Sequence, residues 1–333
     1  MQYSLIIPVF NRPDEIRELL SSIAAQFYRD FEVIVVEDGS TLPADDVVNS
    51  FASDFPLQYY RKENSGPGLS RNYGCERARG EYFLFVDSDC LLPPHYLEAV
   101  HHHLSTSFLD AFGGPDAAHP SFSAVQKAIS YTMTSFLTTG GIRGRKQHLS
   151  VFHPRSFNMG ISRKAYAQTG GFSSMRFGED IELSLRMLKG GLAVGLITDA
   201  VVYHKRRVNF WQFFKQVHNS GIARINLYKR HPEALQAVHW FPALFILYSA
   251  SLLSTLVLSP HFSLLPTTVL FSYLTLIAGD AARQHRSLTI GLLSVVAACV
   301  QLLGYGSGFL RAVWKRLILG HGEFFAFQRT FYA

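Results

Sequence analysis

The chain has 333 residues, enough for one large domain or two smaller ones. Charged residues make up 17% and hydrophobic residues 48%, which excludes an ordinary soluble protein with its roughly 25% of charged residues. The three cysteines, Cys75, Cys90 and Cys299, are widely spaced and odd in number, so a disulfide framework and a zinc-type spacing are both excluded. Reduced thiols fit the cytosol.

The net charge of +6 is unevenly distributed, because a run of basic residues without any acid lies between residues 200 and 232. This run directly precedes the first long apolar segment. Basic clusters in that position face the cytoplasm and attract anionic lipid. A nucleic-acid-binding patch is the alternative, but the neighbouring apolar segments already explain the position, so membrane lipids and no nucleic acid are expected as partners.

Strand-like and helix-like runs alternate in the first hundred residues. Strands are expected at residues 3–7, 31–36, 57–62 and 82–86, and a helix is expected over residues 67–79. This alternation predicts an α/β fold with a mixed, mostly parallel sheet flanked by helices. Ligands of such sheets bind beyond the carboxyl ends of the strands.

Polar residues follow three of the expected strands, namely Asn11, Asp38 and Asp87. The last strand ends in Asp87-Ser88-Asp89, and residues two apart in an extended chain point to the same side. Two such carboxylates repel each other, and a divalent cation on a phosphate would supply the counter-charge. The alternative is a strand-end turn whose carboxylates are merely solvated.

The next hundred residues continue the α/β pattern. Residues 94–135 are expected to be mostly helical, and a glycine-rich basic loop over 138–146 is either a lid or a solvated connector. A strand is expected at 156–162. Gly178-Glu179-Asp180 precedes an apolar helical pattern that stops at Gly190, and the segment that ends at His204 closes this part of the chain.

Six short motifs occur in a fixed order: IIPVFN, VEDGS, GLSRNYG, FVDSD, NMGISR, and GGF followed by GED. Together they resemble the family 2 glycosyltransferases of the GT-A fold, over about residues 3–230. A single Asp-x-Asp arises often by chance, whereas six motifs at suitable spacing form a specific pattern. The Gln-x-x-Arg-Trp motif of processive synthases is absent from the sequence, which argues against a polymerase.

The resemblance implies a nucleotide-sugar donor, a Mn²⁺ or Mg²⁺ cofactor and a role for each matched residue. The nucleotide-sugar site would comprise the base-pocket residues Pro8 and Phe10, the nucleoside contact Asp38, the diphosphate contact Arg71, the ribose-side Asp87, and also Asn11 and Ser88. The metal site would comprise Asp87, Asp89 and His204. Asp180 would be the catalytic base, with Glu179 as the second candidate.

Structural alternatives accompany three of these assignments. Glu179 and Asp180 would also suit the N-terminus of a helix, where acids are favoured. His204 would also suit a hydrogen-bonded core position. Cys90 adjoins the metal site and is interpreted as a small buried residue.

The expected function is inverting, metal-dependent transfer of a sugar from a nucleotide donor to a hydroxyl of a lipid-linked saccharide or glycolipid, in cell-envelope or exopolysaccharide synthesis. A divalent ion would stabilise the leaving diphosphate, and a carboxylate would accept the hydroxyl proton. A polyprenyl-phosphate glycosyltransferase is one alternative, since its acceptor is already an anion. A non-catalytic membrane scaffold is the other.

The apolar residues are concentrated after residue 239, in three segments near the 20 residues that span a bilayer. Because no basic n-region precedes the first strand, we expect a multi-pass cell-membrane protein with a cytoplasmic catalytic domain. The expected parts are a transferase domain (1–207), a basic amphipathic juxtamembrane region (208–236), transmembrane segments within 237–312 (about 240–258, 262–278 and 288–310) and a tail (313–333).

Two features of the membrane part leave alternatives open. The helix-like stretch 208–228 is either an interfacial amphipathic helix or an ordinary packing helix. Basic residues flank the third segment on both sides, so the positive-inside rule favours a membrane-embedded segment with a cytosolic C-terminus. Gly304, Gly306 and Gly308 would permit a re-entrant hairpin there.

Overall fold

The computed structural model describes residues 1–139, 152–258 and 260–327. Most of the loop expected at 138–146 lies outside these residues. The chain divides into two compact units. The first comprises Met1–His119 and Ile142–Lys205, and the second comprises Pro120–Gly141 and Arg206–Ala333.

The helices and strands follow each other in the order expected for an α/β domain with a helical C-terminal part. The strands are β1 Tyr3–Val9, β2 Phe31–Asp38, β3 Leu57–Lys62, β4 Tyr82–Val86, β5 Cys90–Leu91, β6 Ala111–Gly113, β7 Asp116–Ala117, β8 Asn158–Ser162, β9 Val194–Leu196 and β10 Val202–His204. The helices are α1 Pro13–Ala24, α2 Asp45–Asn49, α3 Pro67–Cys75, α4 Tyr96–Thr106, α5 Ala124–Thr134, α6 Phe136–Thr139, α7 Arg163–Thr169, α8 Glu179–Lys189, α9 Phe210–Arg230, α10 Phe241–Leu258, α11 Pro260–His285 and α12 Leu288–Ala312.

The first unit is built on a seven-stranded sheet with the order β3-β2-β1-β4-β8-β6-β9. Strands β3, β2, β1 and β4 are parallel, whereas β8 runs antiparallel to both β4 and β6. The mostly parallel, mixed sheet expected from the sequence is therefore confirmed. The carboxyl ends of the four parallel strands lie at one edge, where the acidic motifs begin.

Helix α1 shows why these residues form the elements they do. Pro13 occupies its first turn, where a missing N–H costs nothing. Ile16, Leu19, Leu20 and Ile23 recur at helical spacing and are all buried against the sheet. One correction concerns α3, which ends at Cys75 instead of continuing to residue 79.

A second, three-stranded sheet with the order β5-β10-β7 lies in the same unit. Its antiparallel pair β5 and β10 places Cys90 opposite His204. The backbone N–H of Lys205 also donates to the carbonyl of Asp89 at 2.9 Å, which extends the pairing to the acidic motif. The segment after β4, at Asp89 and Cys90, and the end of β10 are thus held together by backbone hydrogen bonds.

Within the described part of the second unit, three helices are long and apolar enough to cross a membrane, spanning Ala237–Leu258, Ser263–His285 and Leu288–Ile318. They fall on the three expected segments. The hairpin interpretation of the last one is wrong, because α12 is a continuous helix through Gly304, Gly306 and Gly308.

The glycines of α12 permit close helix packing. A Cβ at Gly308 would collide with the carbonyl oxygen of His218, which lies in α9, and a Cβ at Gly304 would press on Val217 of α9. Much of α9 is buried in this way against α12, so the packing-helix alternative describes its inner face. Contact of its exposed face with lipid remains a prediction.

Candidate active site

The carboxyl end of β1 leads into a tight loop that holds Asn11. This residue has a left-handed backbone conformation with φ of 53°. Its side-chain oxygen accepts hydrogen bonds from the backbone N–H groups of Thr41 and Leu42, at 2.8 and 3.0 Å. Asn11 therefore joins the loop after β1 to the loop after β2. Pro8 and Phe10, the expected base-pocket residues, lie beside it and are half-buried.

Asp38 ends β2 and is held in a dense set of contacts. Its carboxylate accepts from Lys62 Nζ at 2.6 Å and from the backbone N–H groups of Ser65 and Gly66, at 2.8 and 2.9 Å. Only 6% of the side chain is exposed. Asp38 thus fixes the turn that precedes α3, and Lys62, which sequence reasoning did not single out, is its cationic partner.

Arg71 lies in α3 with only 2% of its side chain exposed. Its Nη2 donates to Asp87 Oδ1 at 2.6 Å, and its Nη1 donates to Glu179 Oε1 at 3.0 Å. The guanidinium also lies over the ring of Phe172, at 5.3 Å from the ring centre. The structure therefore places Arg71 as the counter-charge that joins two acids, whereas the resemblance implied a contact to the diphosphate.

Glu179 and Asp180 open helix α8 but sit in different environments. Glu179 is buried, and burial is the main cause that raises its pKa to about 7, with the neighbouring Asp180 adding to the shift and Arg71 opposing it. Asp180 is 15% exposed and lies 3.8 Å from Arg155 Nη1. Its Oδ1 accepts from the N–H of Ile181, so the helix-terminus alternative also applies. Asp180 is the acid with access to solvent.

Asp89 lies at the centre of a compact group of metal-ligand atoms. Its Oδ2 is 2.6 Å from Arg12 Nη1, and its Oδ1 is 3.2 Å from His204 Nε2. The side-chain donor atoms of Asp89, Cys90 and His204 all lie within 4.8 Å of one another. A carboxylate oxygen, an imidazole nitrogen and a sulfur form a donor set that suits a divalent cation.

The expected metal site is therefore assembled in part. Asp89 and His204, which the resemblance implied as ligands of one metal, lie 3.2 Å apart although more than a hundred residues separate them in the chain. Asp87 instead directs Oδ1 to Arg71, and 31% of its side chain is exposed. Ser88 between them is buried. His204 is stacked on Phe157 with ring centres 4.8 Å apart, which fixes the imidazole plane.

Sequence reasoning missed three residues that the structure places in this site: Arg12, Lys62 and Arg155. It placed Cys90 beside the metal site but did not assign it as a ligand. Arg12 follows β1 and Lys62 ends β3, so both are cations at carboxyl ends of parallel strands. A basic residue at the carboxyl end of an expected parallel strand could therefore have been recognised from the sequence as a candidate site residue. Arg155 precedes β8, which is an antiparallel strand. Its approach to Asp180 depends on tertiary structure alone.

The fold and the arrangement of acids at the strand ends define an α/β protein of the GT-A type, joined to a unit with three apolar helices. A solved mannosyltransferase from Pyrobaculum calidifontis, in complex with GDP-Man and Mn²⁺, has this fold. The comparison gives a TM-score of 0.60 and 19% identity over 91% of this chain and 87% of that one. The expected GT-A fold is confirmed.

Residues 4–170 match the profile of the family described as Glycosyl transferase family 2. The match covers half of the chain, and the chain belongs to this family.

Two curated relatives illustrate the extent of the sequence likeness. The chain is 39% identical over 95 residues to an uncharacterized glycosyltransferase of Rickettsia bellii, which covers 28% of this chain and 14% of that protein. It is 40% identical over 93 residues to the poly(ribitol-phosphate) beta-N-acetylglucosaminyltransferase TarS of Staphylococcus aureus, which covers 27% and 16%. The matched stretch thus spans only 14% and 16% of the lengths of these two relatives.

Proposed function

We propose that this chain is an inverting, metal-dependent glycosyltransferase. It moves a sugar from a nucleotide-sugar donor to a hydroxyl of a lipid-linked saccharide or glycolipid, at the cytosolic face of the membrane. The proposal rests on one observation: the first unit holds two separate groups of acidic side chains, one suited to bind a metal ion and one suited to accept a proton. One is the Asp89–His204 group after β4, and the other is Asp180 at the start of α8.

The donor assignment is supported by the site and by the relatives. Asp38 lies at the carboxyl end of β2, and Asp87 and Asp89 follow the carboxyl end of β4. The carboxyl ends of parallel strands are where α/β sheets bind nucleotides. The mannosyltransferase that shares the fold was solved with GDP-Man and Mn²⁺. The TarS relative is named for transfer of N-acetylglucosamine. The sugar and nucleotide differ between the two, so the proposal commits to the donor class.

The residues of the chain divide the chemistry as follows. Asp89 and His204 would hold a divalent cation, which supplies Lewis-acid stabilisation of the departing diphosphate. Asp180 accepts the proton of the attacking hydroxyl. Its side chain is 15% exposed, so its carboxylate can be reached from solvent. Arg71 holds Asp87 and Glu179 at fixed distances, so it acts as a positioning residue. A single in-line displacement inverts the anomeric centre.

The acceptor assignment is supported by the second unit. Its three apolar helices are long enough to cross a bilayer, and α9, which precedes them, carries Lys229 and Arg230 in its last turn. Basic residues next to a membrane span favour the cytosolic face. An enzyme held at that face meets acceptors that are themselves anchored in lipid.

The test is Asp180→Asn in the full-length protein, assayed with nucleotide sugars and Mn²⁺. Loss of the base should lower turnover about 10²- to 10⁴-fold while donor binding is kept. Asp199→Asn is the matched control, because Asp199 is an exposed acid in the turn before β10 and should leave turnover unchanged.

The rival functions give different outcomes in the same experiment. Unchanged turnover of Asp180→Asn would favour a polyprenyl-phosphate acceptor, which is already ionised and needs no base. Absence of donor binding to the wild-type protein, in all nucleotide-sugar classes tested, would instead favour a non-catalytic membrane scaffold.

A further inference from the structure

Cys90 is the member of the Asp89 group that a metal-dependent glycosyltransferase reaction does not require. The sequence favoured a small buried residue at this position, and the thiol is indeed fully buried. It also lies in the same cluster as a carboxylate and an imidazole, with all three donor atoms within 4.8 Å of one another. This juxtaposition gives Cys90 a chemical role that burial alone does not.

The backbone fixes the thiol on the metal side of the small sheet. Cys90 and His204 are directly opposite in the antiparallel pairing of β5 and β10. Residues directly opposite in such a pair project to the same face, with Cβ atoms about 4.5–5.5 Å apart. Asp89 immediately precedes Cys90, and its carbonyl accepts from the N–H of Lys205 at 2.9 Å. The three side chains are therefore positioned by one continuous hydrogen-bonded ladder.

The distances are close to those of a metal site. Zinc bonds to nitrogen, oxygen and sulfur are about 2.0–2.3 Å long, so two ligand atoms of one tetrahedral ion lie about 3.3–3.8 Å apart. Asp89 Oδ1 and His204 Nε2, 3.2 Å apart, already lie near that spacing. The sulfur lies within 4.8 Å of the other two ligand atoms, so it needs a shift of at most about 1.5 Å. The thiol donates to the carbonyl of Phe157 at 3.6 Å. Such a sulfur hydrogen bond is weak compared with a metal–thiolate bond.

We propose that Cys90 is a third metal ligand beside Asp89 and His204, which gives the site affinity for thiophilic divalent ions such as Zn²⁺, Cd²⁺ and Co²⁺. The proposal rests on the proposed function only in taking Asp89 and His204 as metal ligands. A thiolate favours these ions, whereas Mg²⁺ and Mn²⁺ prefer oxygen donors. The thiol proton is released to solvent when the metal–sulfur bond forms.

The consequence for the enzyme is competition at its cofactor site. Zn²⁺ bound through sulfur, nitrogen and oxygen favours four-coordinate tetrahedral geometry. Such an ion leaves few positions for diphosphate oxygens. Zn²⁺ is therefore expected to displace Mn²⁺ and to inhibit transfer.

The experiment is a Co²⁺ titration of the full-length protein in detergent, without any donor, followed by ultraviolet absorption. The wild-type protein should develop a thiolate-to-Co²⁺ charge-transfer band. The Cys90→Ser variant should still bind Co²⁺, as measured by calorimetry, but it should not develop that band. Cys75→Ser is the matched control, since Cys75 is a buried cysteine of the core around Ile6 and should leave the band intact.

A second measurement does not depend on spectroscopy. Loss of an outer-shell partner costs metal sites about 10- to 100-fold in affinity, so loss of a direct ligand should lower Zn²⁺ affinity at least about tenfold. The affinity of Cys90→Ser for Mn²⁺ should stay near that of the wild type, which also shows that the variant is folded.

Three outcomes would overturn the proposal. Co²⁺ binding to the wild type without the band removes Cys90 from the ligand set and leaves the proposed function intact. A band that persists in Cys90→Ser assigns it to another thiol. Absence of any Co²⁺ or Mn²⁺ binding to the wild type removes this proposal and the metal part of the proposed function together.

Discussion

At the scale of single residues, Arg71 is the buried cation that balances two acidic side chains of the candidate active site. A buried guanidinium must be paired, because transfer of an unpaired charge out of water is very costly. Arg71 meets this requirement with Asp87 and Glu179 at 2.6 and 3.0 Å. Its planar fork reaches both acids at once, which a lysine ammonium cannot reproduce in the same geometry. The pairing keeps Asp87 in place while Asp89 remains with His204.

Glu179 should make the stability of the protein depend on pH. Burial raises its pKa from the usual 4.5 to about 7, so the folded state holds the proton more tightly than the unfolded state. The stabilisation is complete below about pH 4.5 and is lost as the pH rises to about 7. Relative to Glu179→Gln, the wild-type melting temperature should therefore fall between these values and then level off. The measurement is a melting series in EDTA, and parallel profiles would contradict it.

Arg12 should compete with a cation for Asp89. Its guanidinium lies 2.6 Å from Asp89 Oδ2, and both side chains are mostly buried, at 20% and 13% exposure. A partly exposed ion pair is worth up to about 1 kcal/mol, so Arg12→Ala should raise Mn²⁺ affinity by up to about fivefold. Calorimetry of the donor-free protein measures the change. The control is Arg17→Ala on the exposed side of α1, and a lower affinity in Arg12→Ala would refute the competition.

These residues also show what a sequence reveals about a site. Asp38, Asp87 and Asp89 were identified because acids at strand ends are visible in the order of the chain. The link between Arg71 and Glu179 was not, because the two residues are 108 positions apart and meet only in the folded chain. The same holds for Cys90, whose position opposite His204 depends on the register of β10.

At the scale of elements, the contact of α9 with α12 depends on glycine. Gly304 and Gly308 lie one turn apart in α12 and face Val217 and His218 of α9, while Gly221 of α9 faces the backbone at Tyr305. Small residues at this spacing let two helix backbones approach closely. Composition predicted three apolar helices. It did not predict this close contact of α9 with α12, which we call the glycine seam, because three glycines in one segment are also compatible with a break in the helix.

Gly308→Ala should weaken the glycine seam. The added methyl group would collide with the carbonyl oxygen of His218, and such overpacking costs about 1–3 kcal/mol. Gly279→Ala in α11 is the matched control, because its Cβ would meet no described atom within 4 Å. There the higher helix propensity of alanine should give up to about 1 kcal/mol of stabilisation. The measurement is the melting temperature of both variants in detergent. Equal shifts of the melting temperature in the two variants would contradict the glycine seam.

At the scale of the whole molecule, the sequence predicted the class of the fold better than its topology. Alternating strands and helices predicted that β1 to β4 run parallel, but they did not predict the order β3-β2-β1-β4. The antiparallel insertion of β8, and the pairing of the three-residue strands β6 and β9, had no comparable pattern. Short strands have too few residues to show an alternation of apolar and polar side chains. Their pairing partners are therefore determined by the tertiary structure and are not visible in the sequence. The three-stranded sheet that holds His204 was missed for the same reason.

The division into two units predicts two separable thermal transitions. Each unit has its own buried apolar clusters, around Leu5 and Ile6 in the first unit and around Ile222 and Ile129 in the second. A nucleoside diphosphate with Mn²⁺ binds only folded protein, so at about 100 times its Kd it should stabilise the first unit by about 2.7 kcal/mol. Gly308→Ala should lower only the other transition, because its contacts lie within the second unit. Calorimetric scans of the detergent-solubilised chain, with and without nucleotide, separate the two effects. A single transition that both changes move together would show that the units unfold as one.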